Sequence, residues 1–217
     1  EKRWYAPWRG KYKEDEIEND KILLQSFYNN SGFKDYYCIS QNIVNNGKYL
    51  DLVYNIYEGP KYFFRDTYWE GNEIFADSTL SNALNINYGD LYNRDHFNIS
   101  LFQNISSLYM DKGYLNLNLK HQFIHSENSD SIDIKFDIEE NNIVSVRKVV
   151  IKGNEKTNEN VIRREIDIYP GDTFNRSKFI DVRTKIMLLN FFENVMPDIN
   201  PMNNDEVDLI VDVMEKG

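Results

Sequence analysis

The sequence predicts an α+β protein made of small tandem domains, and three observations predict it. First, the stretch GNEKTNENVIRREIDIYPGD at 153–172 has a counterpart, GNEIFADSTLSNALNINYGD at 71–90, displaced by 82 residues. With that displacement Gly71, Asn72, Gly89, Asp90, Asn93, Arg94 and Phe97 land on Gly153, Asn154, Gly171, Asp172, Asn175, Arg176 and Phe179. Second, each copy carries the same succession of two-residue and 3.6-residue hydrophobic periods. Third, an incomplete copy precedes them. SGFKDYY at 31–37 is similar to KGYLNLN at 112–118, and DLVYNIYEGPKY at 51–62 to DIKFDIEENNIV at 133–144, both displaced by about 81 residues.

Each copy opens with a strand. In SVRKVVIKGN, Val146, Lys148 and Val150 alternate with Arg147, Val149 and Ile151 until Gly-Asn imposes a turn. A short helix follows, capped by Asp77 or Ser78 in one copy and by Thr157 or Asn158 in the other, with Val161, Ile162 and Ile166 facing inward. YGD or PGD breaks it, and Asn93 or Asn175 then caps a longer helix. Its apolar face is Phe97, Leu101, Ile105 and Leu108 in one copy and Phe179, Val182, Ile186 and Leu189 in the other. Two strands close the unit. Leu115, Leu117 and Leu119 alternate with Tyr114, Asn116 and Asn118, and Ile132, Ile134, Phe136 and Ile138 alternate with acids and Lys135.

The order is therefore β-α-α-β-β over about 75 to 80 residues, with two helices covering one face of a three-stranded sheet. The expected divisions are 1–60, an incomplete copy lacking its first strand, then 61–141 and 142–217. The links EGPKY at 58–62 and ENNIV at 140–144 are too short for a flexible tether, so direct contact should orient neighbouring repeats, with some hinge freedom.

Composition excludes several functions. A chain of 217 residues that is 41% hydrophobic and 14% aromatic has enough apolar material to fold. Its net charge of -10 lacks the cationic surface on which nucleic-acid affinity depends. No apolar run approaches the roughly 20 residues of a membrane helix. The opening, EKRWYAPWRGKYKEDEIEND, shows neither a signal peptide nor a clear period and reads as the interior of a longer polypeptide. The single cysteine, Cys38, excludes an internal disulfide or multi-thiolate metal site, and in DYYCIS it reads as a small hydrophobe on a strand. His121 and His125 have the spacing of a helical metal pair, but their segment alternates as a strand, where four residues span about 13 Å. No dinucleotide, P-loop, zincin or nucleophile-elbow string occurs.

The residues then resemble a known family, the polypeptide-transport-associated (POTRA) repeats of the BamA/Omp85 outer-membrane protein assembly factors. The resemblance covers the whole chain. It is carried by Gly71-Asn72 and Gly153-Asn154, by Gly89-Asp90 and Gly171-Asp172, by GF and GY at 32 and 113, and by YEGP at 57–60. VIRREI at 161–166 and LLNFFENV at 188–195 are similar to the repeat adjoining the membrane barrel, with Asn190 where the family has Gly, and Asn is the next best residue for a left-handed turn. SSLYMDKGYL at 106–115 resembles the fourth repeat of the Bacteroidetes branch, so the chain reads as part of a third repeat followed by a fourth and a fifth.

The resemblance implies mixed three-stranded sheets, a periplasmic location tethered to the outer membrane, and a C-terminal membrane β-barrel in the same polypeptide. It implies no catalytic residue, metal or cofactor. Unfolded outer-membrane proteins are the implied clients, added to an edge strand through main-chain groups, here around Tyr114, Asn116, Asn118 and Lys120 and around Tyr36 and Tyr37. Accessory assembly lipoproteins are the implied second partners, with Arg163, Arg164 and Glu165 on the exposed side of a short helix as their docking residues. A TamA-like or two-partner secretion parent is the alternative within the same superfamily. From a different class, Trp4, Trp8 and Trp69 could form a glycan-binding platform, although Trp69 falls in a strand where core packing is expected.

Overall fold

The structure, a computed structural model, describes residues 14–47, 50–125, 130–203 and 205–217. Trp4 and Trp8 lie outside the described residues. Among the described residues, eight strands and six α-helices follow in the predicted order. The incomplete repeat holds helix α1 (Glu14–Asn30) and strands β1 (Tyr37–Asn45) and β2 (Leu50–Tyr57). The middle repeat holds β3 (Phe63–Glu70), α2 (Asp77–Leu84), α3 (Arg94–Ile99), a π-helical turn (Ser100–Ile105), α4 (Ser106–Met110), β4 (Asn118–His125) and β5 (Ser131–Glu139). The last repeat holds β6 (Ser145–Lys152), α5 (Glu159–Arg163), α6 (Arg176–Leu188), β7 (Phe192–Pro201) and β8 (Glu206–Glu215).

The sheets are β1-β2, β3-β5-β4 and β6-β8-β7. In the last, β8 runs parallel to β6 and antiparallel to β7, so the final strand of the repeat is central and the sheet is mixed. That position explains the sequence pattern. Ile132, Ile134, Phe136 and Ile138 on β5, and Val207, Leu209, Val211 and Val213 on β8, are all buried because the helices cover one face of a strand paired on both sides. By contact the chain forms two compact units. One takes the described residues up to Thr67 with those of Asn85–Ile99 and Phe123–Ile134, and the other those of Tyr68–Leu84, Ser100–Gln122 and Lys135–Gly217. The middle repeat contributes to both.

The Gly-Asn turns are dictated by close approach. Gly71 and Gly153 both have φ +81°, and a Cβ on them would lie 2.1 Å from the Ile138 carbonyl oxygen and 2.0 Å from that of Val213. Asn72 Nδ2 then donates to Phe75 O at 2.9 Å and Asn154 Nδ2 to Thr157 O at 3.1 Å, so the asparagine closes the turn that the glycine allows. In the Gly-Asp turns Asp90 accepts the N–H of Asn87 at 2.8 Å and Asp172 that of Tyr169 at 2.9 Å. Asn190 takes φ +60°, the left-handed conformation expected of it.

Three expectations are corrected. On β6 the alternation breaks, because a bulge between Val146 and Lys148 puts Val146 and Val149 into the same core, where two-residue alternation had placed them on opposite faces. On the second helix of the middle repeat, Tyr109 is fully buried and Leu108 only partly so. Phe97, Leu101, Ile105 and Tyr109 recur every fourth residue. Four residues overshoot an α-helical turn, and the wider π turn at Ser100–Ile105 absorbs part of the drift and keeps them on one face. Finally, β4 starts at Asn118, not at Tyr114. Gly113 has φ +95° and the Tyr114 N–H bonds back to Tyr109 O at 3.0 Å, which holds Tyr114 in the helix cap.

A repeated ion pair joins the first strand to the central one. Arg147 Nε and Nη2 meet Asp208 Oδ1 and Oδ2 at 2.8 and 2.7 Å, and Arg65 forks onto Asp133 in the same way, with Nε to Oδ1 at 2.7 Å. Both aspartates are buried. The hydrogen bond from Arg147, ahead of its charge, holds the Asp208 carboxyl below the usual range, and Arg65 does the same for Asp133. Because the folded value is depressed, the stabilisation is complete above the unfolded value of about 3.9 and disappears as pH falls through the folded one. The urea midpoint should therefore drop steeply below about pH 4, and Asp208→Asn should flatten that part of the profile while lowering the midpoint at pH 7.

Candidate functional site

The described residues hold no cluster of three or more His, Cys, Asp or Glu able to bind a metal, and no described helix is long and apolar enough to cross a membrane, which leaves β-strand spans undecided. The surfaces that can act are strand edges and repeat junctions. β4 and β7 each lie at one end of a three-stranded sheet, with one side paired and the other open. Opposite them, the starts of β3 and β6 are occupied by the Gly-Asp turns. Phe64 N–H bonds Asp90 O and Val146 N–H bonds Asp172 O, both at 2.8 Å.

The sequence-predicted residues are distributed unevenly over these edges. Asn118 and Lys120 lie on β4, and both donate to Glu139, at 2.8 and 3.1 Å, holding its carboxyl below the usual range, Asn118 foremost. Their side chains are thus engaged within the sheet, and what β4 presents outward is main chain. Tyr114 and Asn116 precede the strand, and the Asn116 carbonyl accepts from Asn141 Nδ2 at 2.8 Å. Tyr37 opens β1 and is exposed, but Tyr36 is buried, its ring stacked on Tyr28 with centroids 4.4 Å apart. Tyr36 therefore presents no side chain to a partner. His121 and His125 both lie on β4, as strand residues. Trp69 is buried, stacked on Phe136 at 4.2 Å with its Nε1 donating to Ser81 Oγ at 2.9 Å, so it is absent from any surface platform.

The expected docking triad is split by the end of its helix. α5 stops at Arg163, Arg164 is the C-cap, and Glu165 N–H bonds Ile162 O at 3.0 Å in a tightened final turn. Arg163 is tied to Glu159 and to the Val149 carbonyl, at 2.9 and 3.3 Å, whereas the Arg164 side chain is exposed and bonds its neighbour Glu165 at 3.2 Å.

Each compact unit also contains a junction between successive repeats that sequence reading did not single out. Asn175 caps α6 through Oδ1, accepting the Lys178 N–H at 2.8 Å, while its Nδ2 donates to Asp111 O, at the end of the preceding repeat's helix, at 2.9 Å. Asp111 in turn accepts the Ser177 N–H and hydroxyl, both at 2.7 Å. Asn93 and Asn30 repeat the arrangement in the other unit. Asn93 caps at His96 (2.8 Å) and donates to Asn30 O (3.2 Å), and Asn30 Oδ1 accepts the Asp95 N–H at 3.0 Å. The signal was the identity of Asn93 with Asn175; its second role depends on a residue about 64 positions away, beyond local spacing. Asn175→Ala should cost about 1–2 kcal/mol in the urea-unfolding free energy, since it removes a cap and a junction bond together.

The two junctions differ in chemistry. Beside the bonds to Asp111, Met110 and Leu115 add apolar contact with the last repeat's core. In the other unit Tyr62, whose N–H bonds Gly32 O at 2.9 Å, donates its hydroxyl to Asp35 at 2.6 Å. That bond, and then burial, pushes the tyrosine up to about 12.

Tandem β-α-α-β-β repeats with open strand edges and interlocked helix ends define a class of small α+β repeat domains. The chain belongs to the POTRA family: the family model described as "Surface antigen variable number repeat" matches residues 62–141 and 144–216. Its repeats match those of BamA/Omp85-type proteins. A putative outer membrane protein assembly factor of Treponema pallidum is 28% identical over 96% of this chain and 26% of its own length. The outer membrane protein assembly factor BamA of Buchnera aphidicola is 25% identical over 98% of this chain and 35% of its own. The chain thus spans about a quarter to a third of these relatives. The crystal structure of Haemophilus influenzae BamA POTRA3-5 superposes with a TM-score of 0.76 at 20% identity, covering 94% of this chain and 82% of that one, which establishes the shared fold.

Proposed function

We propose that this chain is the periplasmic POTRA region of an outer-membrane protein assembly factor, joined to a membrane β-barrel in the same polypeptide. Its work is to hold unfolded β-barrel proteins as added strands on an edge of its sheets, without a chemical step, and to dock accessory assembly lipoproteins. The divisions 1–60, 61–141 and 142–217 serve as three successive repeats. The observation that carries the reading is the match of the two complete repeats to the POTRA model, with relatives described as assembly factors along nearly the whole chain. The physical support is the open outer edge of β4. An edge recognises extended backbone largely irrespective of side chains, which suits clients of varied sequence. Arg164, with Arg163 and Glu165 beside it, is the proposed lipoprotein contact because it is the member with least internal engagement.

A photo-crosslinking residue placed at Lys120 in the parent protein should capture outer-membrane proteins during their assembly, and one at Arg164 should capture a lipoprotein instead. Absence of client adducts at 118–125, with adducts elsewhere on the chain, would overturn the edge assignment. Retention of every partner after Arg164→Glu and Glu165→Arg together would overturn the docking assignment.

A further inference from the structure

β4 and β7 are corresponding edge strands of the two complete sheets, opposite β3 and β6, but their sequences treat the open side differently. In an antiparallel pair, alternate residues turn their N–H and C=O groups toward the partner and the others turn them away. Pro197 lies opposite Val211 on β8, and having no N–H it belongs to the outward set. Val195, Ile199 and Pro201, opposite Val213, Leu209 and Val207, share its parity. These four positions make up the outward donor row of β7 beyond the bulge between Phe192 and Asn194.

None of the four is open. Pro197 and Pro201 carry no donor. The Val195 N–H donates to Asn194 Oδ1 at 2.9 Å, and the Ile199 N–H to Asp198 Oδ1 at 2.8 Å. Those two bonds also support the parity, because an N–H directed at β8 would be held by β8. A strand added here would meet outward carbonyls but no donors, and every second carbonyl of its own would be buried unpaired, a loss that main-chain pairing cannot absorb. β4, with the sequence NLKHQFIH, contains no proline and no aspartate. Each of its residues keeps a main-chain N–H.

We infer that β7 is closed to strand addition by its own residues, and that of the two strands β4 and β7 only β4 takes an added extended polypeptide. The role of β4 rests on the function proposed above; the closure of β7 does not. Such closure of one edge also protects the repeat against pairing with copies of itself, the hazard that edge prolines and bulges counter.

The test uses the 217-residue chain labelled with ¹⁵N and, as probe, a synthetic peptide of alternating threonine and valine with a lysine at each end. Amide shifts should change along 118–125 and not along 192–201. Pro197→Thr combined with Asp198→Ala gives β7 two donors and should bring new shifts there. In Asp198→Ala alone, a milder change, the Ile199 amide should exchange with solvent about tenfold faster. Wild-type shifts on β7 as large as those on β4 would overturn the closure, as would a folded double variant without a β7 response or an unchanged Ile199 exchange rate. A silent β4 beside a responsive double variant would overturn the role of β4, and with it the function proposed above, while leaving the closure intact.

Discussion

Gly153→Ala is expected to lower the unfolding free energy by about 3–5 kcal/mol, an exceptional value for one methyl group. Two effects add. At φ +81° an L side chain is strained, and the added Cβ would sit 2.0 Å from the Val213 carbonyl oxygen and 3.1 Å from Asp212 Oδ1. The carbonyl belongs to the central strand β8, so relief requires moving β6 away from the strand it pairs with. Gly171→Ala is the control. Its φ is +94° but a Cβ there meets nothing within 4 Å, so only the conformational term applies, about 1–2 kcal/mol. Urea unfolding followed by far-ultraviolet circular dichroism measures both, and equal losses would mean that the close approach at Gly153 is not a constraint.

Phe136→Ala should cost about 3–5 kcal/mol, as expected for an aromatic side chain removed from a packed interior. Phe136 is fully buried on the central strand β5, and its ring lies 4.2 Å from that of Trp69 at an interplanar angle of 11°. Its loss leaves Trp69 facing a cavity between sheet and helices. Trp69→Phe should be milder, since it keeps a stacked ring and loses chiefly the bond to Ser81. Phe102→Ala, at a ring 66% exposed, should fall within about 0.5 kcal/mol of the parent. A comparable loss at Phe102 would show that the outer face of this helix is also packed.

Much of this molecule was legible because the sequence writes its pattern twice. The Gly-Asn and Gly-Asp turns, the capping asparagines and the alternation of β5 are local signals, set by backbone sterics and by the period of a covered face. Such signals placed Ile132, Ile134, Phe136 and Ile138 inside, and all four are buried. The errors arose where a distant partner decides. Arg147 is displaced from strict alternation by a bulge and pairs with Asp208, and Tyr36 is taken inside by the ring of Tyr28. The second role of Asn175 depends on Asp111, while the delayed start of β4 is a local effect, a helix cap that overrides the alternation.

By itself, then, the sequence determined the repeat, the order of its elements, the glycine turns and the family resemblance, because these rest on dihedral preferences and periodicity within one segment. Only the tertiary structure decided which edge keeps its donors, which charges are paired and which residues join one repeat to the next. Those depend on what lies across a sheet or at the end of another helix, and no local spacing encodes a neighbour some 60 residues away.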